Sequence, residues 1–427
     1  VLWLAELKIS IRVLVHRQNP ITILKNDSLI MSKPIRICFL ADRHDLYDDR
    51  IYWKMAVPLV KKGFQVYYVL IGKKTASGTT SEGVHFKVFK LKTFSKNRFL
   101  NFLIKRLNPD NNYRAMLKEA EAIQADIYHF HDLWINRIGP KLKRFDHKPV
   151  VFYDAREPYA ADYLSYVETP FSFLLQLFAS RLDRWEKRQA KKYDLVIANE
   201  HIVQQNFAKV IGEERSVVLY NYTDLMDEAQ PLQMSEKKYD LIYCGAVTRL
   251  RGAFDILKAV KMIKEELPNC KVLFLGNYFP VSLKEELQGF INQNNLNDLV
   301  ELKDAVPYKE VAQYYRLSKI GLVLLQKVKT FEISMPIKIF EYMAFGLPVI
   351  GSDFGHMKAY IQNDICGIAV PPHDSRAVAD AILSLMQNDD LYQYYSDNGR
   401  QASLTKYKWE FEFNKLLLYY NKALDDR

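Results

Sequence analysis

Two short segments carry the residue types with the most chemistry to offer. In "YCGAVTRLRGAFDILKAV" a strand-like run ends at Gly245, and Arg249 and Arg251 follow before Gly252 and a helical pattern. Two guanidinium groups and the free amides of a helix start can hold a diphosphate. The same residues also suit a basic turn that only faces solvent. In "PIKIFEYMAFGLPVI", residues 336–350, Lys338 and Glu341 stand on one helical face of an apolar, aromatic run that closes on Gly346-Leu-Pro348. Such a pair either satisfies itself as a partly buried ion pair or presents a cation and a carboxylate to a ligand.

These residues need rigid elements behind them, and the hydrophobic pattern supplies candidates. Short apolar runs recur at 35–40, 66–71, 127–130, 150–153, 195–198 and 217–220, with helical periodicity between them. A second series follows at 241–243, 272–275, 300–302, 320–325, 348–350 and 368–370. Near-continuous apolar strands alternating with helices imply parallel sheets covered on both faces. The expected fold class is therefore α/β, with two doubly wound, Rossmann-like domains over 31–225 and 226–405 and a polar linker near 227–238. The cleft between them is the expected ligand site. A last helical pattern at 406–427 comes after the second series is complete and is free to pack elsewhere. Residues 1–30 are expected to lie outside the fold, because "MSKPIRICFL" at Met31 reads as a natural start running into a strand.

Several function classes lose support. The loop after the first strand, "ADRHDLYDDR", has no glycine, which disfavours a dinucleotide dehydrogenase. No P-loop, H-E-x-x-H or G-x-S-x-G motif occurs. Cys38, Cys244, Cys270 and Cys366 are scattered without a C-x-x-C pair, which fits buried free thiols in a reducing cytoplasm. A formal charge of +10 favours anionic partners, but no nucleic-acid recognition motif accompanies it. No uncharged run reaches the roughly 18 residues of a membrane span. "NRFLNFLIKRLN", residues 97–108, has the basic and apolar faces of an interfacial helix, so an anionic membrane surface is one expected partner, and an amphipathic helix packed on its own sheet is the other reading.

Residues 35–424 resemble the GT-B glycosyltransferases, specifically the retaining glycosyltransferase family 4 (glycosyl transferases group 1). The first-strand region "IRICFLADRHDLYDDRIYWKMAVPLVKKGFQVYYV" carries the resemblance, as do "ADIYHFHDLW", "YDLVIANE", "VVLYNYTD" and the C-terminal "YKWEFEFNKLLLYYNKAL". The stretch 338–350 is the most specific. The resemblance implies a GT-B fold whose C-terminal helix packs back on the first domain. It also implies transfer of a sugar, with retention, from a nucleoside diphosphate sugar to a glycan or lipid-linked acceptor in cell-surface polysaccharide synthesis. Glu341 would accept from the ribose hydroxyls, a role that suits a carboxylate because it has two acceptor oxygens and no donor. Arg249, Arg251 and Lys338 would face the diphosphate and stabilise it as it leaves, so that no cofactor and no metal is strictly required. His131 would face the donor sugar across the cleft, with Glu332 the second catalytic candidate; His129, which shares its strand face, reads as buried structure.

The sequence departs from the family pattern in three places. Ala246 stands where an arginine usually follows the glycine, while Arg251 matches the family's lysine. Ile333 occupies the place of a second glutamate, one residue from Glu332, and Arg156 stands where a histidine is usual. Two other readings stay open: a nucleotide-sugar epimerase of the same fold and a catalytically silent sugar-binding protein.

Overall fold

In the computed structural model, residues 34–42, 44–90, 113–156, 159, 172–225, 232–333 and 335–427 are described. The segments expected to be an N-terminal extension and an interfacial helix lie outside them. Two parallel sheets organise the chain. The first is eight-stranded, in the order β3-β4-β2-β1-β5-β6-β7-β8. Its strands are β1 (Arg36–Ala41), β2 (Gln65–Gly72), β3 (Ala76–Thr79), β4 (His85–Lys90), β5 (Ile127–His131), β6 (Val150–Ala155), β7 (Leu195–Ala198) and β8 (Ser216–Val218). All pairs are parallel except β3 with β4. The second sheet is six-stranded and wholly parallel, in the order β11-β10-β9-β12-β13-β14. It comprises β9 (Tyr239–Cys244), β10 (Val272–Leu275), β11 (Val300–Lys303), β12 (Ser318–Val323), β13 (Val349–Ser352) and β14 (Gly367–Val370).

The central strands are buried on both faces, which is why they read as continuous apolar runs. Helices cover the second sheet on both sides: Ala253–Ile263 and Ser375–Met386 pack on one, and Ile337–Ala344 packs on the other. The chain supplies its own stops. Asp374 accepts from the Ala377 amide at 2.9 Å and starts Ser375–Met386. Gly346, at φ +66°, turns the chain after Ile337–Ala344 into β13. After β1 the chain forms a π-helix, Asp49–Ala56, capped by the Asp48 carboxylate on the amides of Arg50 and Ile51. Wide turns of this kind occur often at functional sites.

The last helix, Trp409–Asp425, leaves the second sheet and buries Trp409, Phe413, Leu416 and Tyr420 in the core of the first. Trp409 Nε1 donates to Lys54 O at 2.6 Å, and Tyr420 shares a 2.6 Å hydrogen bond with His129 Nδ1. All four cysteines are buried and free. No helix among the described residues is long and apolar enough to cross a membrane.

One buried acid makes a testable signature. Glu186 accepts from Tyr153 Oη at 2.5 Å inside the first domain, and burial pushes its pKa from 4.5 up to about 7, against the pull of that bond. The folded state therefore holds this proton more tightly than the unfolded chain. The stability it contributes is complete below about pH 4.5 and is lost as pH rises through about 7. Glu186→Gln should remove up to about 3 kcal/mol of that pH dependence. Melting curves from pH 5 to 8 check this; an unchanged slope would contradict it.

Candidate functional site

In each sheet the strand order reverses beside one strand. The first sheet reverses between β1 and β5 and the second between β9 and β12, and open α/β sheets bind ligands just beyond the carboxyl ends of strands at such points. Gly245, at φ +132°, follows β9. Gly276 follows β10 so closely that a Cβ on it would fall 1.7 Å from Gly245 O, so only glycine fits. A cavity of about 380 Å³ opens here, lined by Gly245, Gly276, Lys338, Glu341 and, from the first domain, Asp49.

Lys338 and Glu341 sit on its wall because Ile337–Ala344 is anchored to β9. Tyr342 Oη accepts from the Cys244 amide at 3.0 Å and donates to Ile242 O at 3.4 Å. Glu341 is 1% exposed. Its Oε2 accepts from Lys338 Nζ at 2.7 Å and from Tyr315 Oη at 2.6 Å, both bonds falling on the same oxygen. The Lys338 side chain keeps 31% of its surface. Burial works against its ammonium, and the Glu341 carboxylate more than offsets this, so its pKa lies above the ordinary lysine value. The wall thus presents a fixed cation beside a carboxylate.

The other expected residues divide. Thr248 caps the turn at Arg251, whose guanidinium lies 5.6 Å from the centre of the Phe331 ring. Burial pushes the Tyr243 phenol up to about 12, and the nearby Arg251 charge only partly counters that. Arg249 turns outward: 59% exposed at its side chain, it pairs with Glu286 of the helix Leu283–Gln293 and lies over Phe254. Glu332, in the short helix Lys329–Ile333, has an exposed carboxylate 3.8 Å from Lys327. Arg249, Arg251 and Glu332 are all absent from the cavity lining, and of the expected cations Lys338 alone stands on it.

His131 ends β5 and is fully buried, stacked on His129 with ring centres 4.6 Å apart. Its Nδ1 lies 3.4 Å from Asp154 Oδ2, which takes a 3.1 Å bond from Arg50 Nε. Burial lowers the pKa of both imidazoles. Burial alone would raise that of Asp154; Arg50 and the histidines hold it well below the carboxylate range. Among the described residues, His129, His131 and Asp154 are the one group spaced to hold a metal ion, with ligand atoms within 4.8 Å. Arg50 already occupies that carboxylate and places a positive charge in the same space, so the group reads as an ion-pair network.

The "ADRHDLYDDR" loop builds a charged cluster at the carboxyl edge of the first sheet. His44 sits between Asp48 and Asp132, 2.8 Å from each. Arg156 Nη1 lies 3.4 Å from Asp48, and Tyr159 Oη donates to Asp132 Oδ1 at 2.9 Å. Burial and Arg156 lower the His44 pKa, but the two carboxylates prevail and raise it to about 9. The signal was the density of charge in one βα loop.

Residues 52–226 match the profile described as "Glycosyltransferase Family 4", and residues 227–402 match "Glycosyl transferases group 1". The fold is that of sucrose-phosphate synthase from Thermosynechococcus elongatus, at TM-score 0.69 and 15% identity over 92% of this chain and 100% of that one. The chain is a GT-B glycosyltransferase of the family 4 type. Anabaena Alr3699/HepE, solved in complex with UDP-glucose, shares the GT-B fold at TM-score 0.66 and 14% identity, over 91% of this chain and 100% of that one. Among curated relatives, the family 4 type chain is 25% identical to "Amylovoran biosynthesis glycosyltransferase AmsK" of Erwinia amylovora, over 42% of each. It is 24% identical to "D-inositol 3-phosphate glycosyltransferase" of Xylanimonas cellulosilytica, over 44% of this chain and 43% of that one. The chain thus spans about two-fifths of the length of these relatives.

Proposed function

We propose that this glycosyltransferase moves a sugar from a nucleoside diphosphate sugar to a glycan or lipid-linked acceptor in the synthesis of a polysaccharide or glycolipid. The observation that carries the reading is the Lys338–Glu341 pair, held at the wall of a cavity where the second sheet reverses. Both bonds to Glu341 fall on Oε2, which suits Oε1 to a ribose hydroxyl. Lys338 and Arg251 suit the diphosphate. As the bond between the anomeric carbon and the phosphate oxygen breaks, charge grows on the leaving diphosphate, and fixed cations stabilise it most at that stage. A fixed cation at the cavity wall, Lys338, offers that stabilisation without calling for a metal ion.

In this reading Arg249, turned to Glu286, and Glu332, turned to Lys327, stand outside the donor site. His131, fully buried against His129 and Asp154, is read as a positioning residue for the strand end that carries Asp132. Retention at the anomeric centre rests on the family alone. The family profiles favour a transferase over an epimerase.

Incubation with UDP-, GDP- and ADP-sugars without acceptor tests the reading. Slow release of free nucleoside diphosphate from one donor is expected, because water can replace the acceptor. Lys338→Met should reduce that release by at least about 100-fold, on the scale of one lost charge-stabilising group. Binding of a nucleoside diphosphate without release from any donor, even with glycan acceptors added, would instead show the silent sugar-binding protein.

A further inference from the structure

The cavity beside Lys338 and Glu341 has an apolar end that the ion pair leaves unused. Phe279 lines it together with Leu275, Ala305 and Val306. Phe279 is 55% exposed. Phe279 N donates to Val247 O at 3.0 Å, and Val247 N donates to Asn277 O at 2.8 Å, so residues 277–279 run as a strand-like extension beside Val247. Tyr278 Oη is tied to Lys303 O at 3.3 Å on the other side. The chain therefore holds the backbone of Phe279 and leaves the residue exposed on the cavity lining. The ring also lies three residues beyond Gly276, which touches Gly245 at the point where the diphosphate would sit.

We propose that Phe279 is the stacking platform for the nucleobase of the donor, an inference that rests on the nucleotide reading above. A nucleobase is a flat, uncharged π-system, and an exposed ring on a fixed backbone offers it a face at little ordering cost. Stacking uses a face that every base possesses, so Phe279 supplies affinity common to all nucleotides and leaves base selection to the edges of the loops. This assigns the three parts of a nucleoside diphosphate to three residues of one cavity: base to Phe279, ribose to Glu341, diphosphate to Lys338.

The test is a set of titrations of the full chain, its Phe279→Ala variant and its Phe279→Tyr variant with UDP, GDP and ADP, and with pyrophosphate and ribose 5-phosphate. Phe279→Ala should weaken each nucleoside diphosphate that the parent binds by about 10-fold, on the scale of one lost base stack. The two fragments without a base should change by less than about twofold. Phe279→Tyr keeps the ring and should bind like the parent. Unchanged nucleoside diphosphate affinity in Phe279→Ala, or an equal loss for pyrophosphate, would overturn the stacking role. If Glu341→Gln loses affinity while Phe279→Ala does not, only the stacking role falls. If the parent binds no nucleoside diphosphate at all, the nucleotide reading itself falls.

Discussion

Glu341→Gln should weaken nucleoside diphosphate binding by about 10- to 150-fold, because a hydrogen bond to a charged group contributes about 1.5 to 3 kcal/mol. Calorimetric titration measures this. The same variant should also melt at a lower temperature, since Lys338 loses the carboxylate 2.7 Å away that compensates its burial. From the sequence alone, ribose contact and ion pairing were alternatives; the structure makes the ion pair a fact and leaves Glu341 at the cavity. Both effects are therefore expected together. Pyrophosphate, which has no ribose, should lose less affinity than UDP or GDP. A variant that melts early yet binds its nucleotide like the parent would sink the ribose role and leave the ion pair standing.

Arg50→Met should cost about 3 to 5 kcal/mol of stability at pH 8, the range for removing one partner of a buried ion pair. Arg50 is buried, bonds Asp154 at 3.1 Å and Leu219 O at 3.1 Å, and lies 5.5 Å from the centre of the Trp409 ring. It thus ties β6, the crossing between domains and the C-terminal helix to one point. Without the guanidinium, only the neighbouring histidines would oppose burial, and the Asp154 pKa would rise. A raised carboxyl pKa contributes stability at low pH that is lost as pH rises. The variant should therefore melt closer to the parent at pH 5 than at pH 8. A loss below about 1 kcal/mol, or a deficit that does not change with pH, would contradict the account, since neither fits an uncompensated buried carboxylate.

How much of this was legible in the sequence follows from what each element depends on. Strands such as β1, β5, β6 and β9 were readable because a parallel strand buried on both faces must be apolar throughout. The edge strand β3 was not: its residues, "ASGT", are all exposed and carry no hydrophobic signal. Lys338 and Glu341 were readable because both lie on one short helix, so local periodicity places them together. The cluster of His44, Asp48, Asp132 and Arg156 was not, because its members meet only after the ends of three strands are brought side by side. Arg249 shows the same limit. Its turn was foreseeable, but the acid that draws it outward, Glu286, sits on a different helix. Phe279 had no motif at all, and its interest comes from an exposed residue whose backbone is bonded to Val247.

The measurement that bears most directly on the proposed nucleotide site is calorimetric titration of the full chain with UDP, GDP and ADP, repeated on Lys338→Met. One of the three should bind with a single site per chain. At 100 times its dissociation constant it should stabilise the fold by about 2.7 kcal/mol, and Lys338→Met should abolish most of that affinity. A folded parent that binds none of the three, or a Lys338→Met variant that binds as tightly as the parent, would contradict the assignment of this cavity to a nucleoside diphosphate.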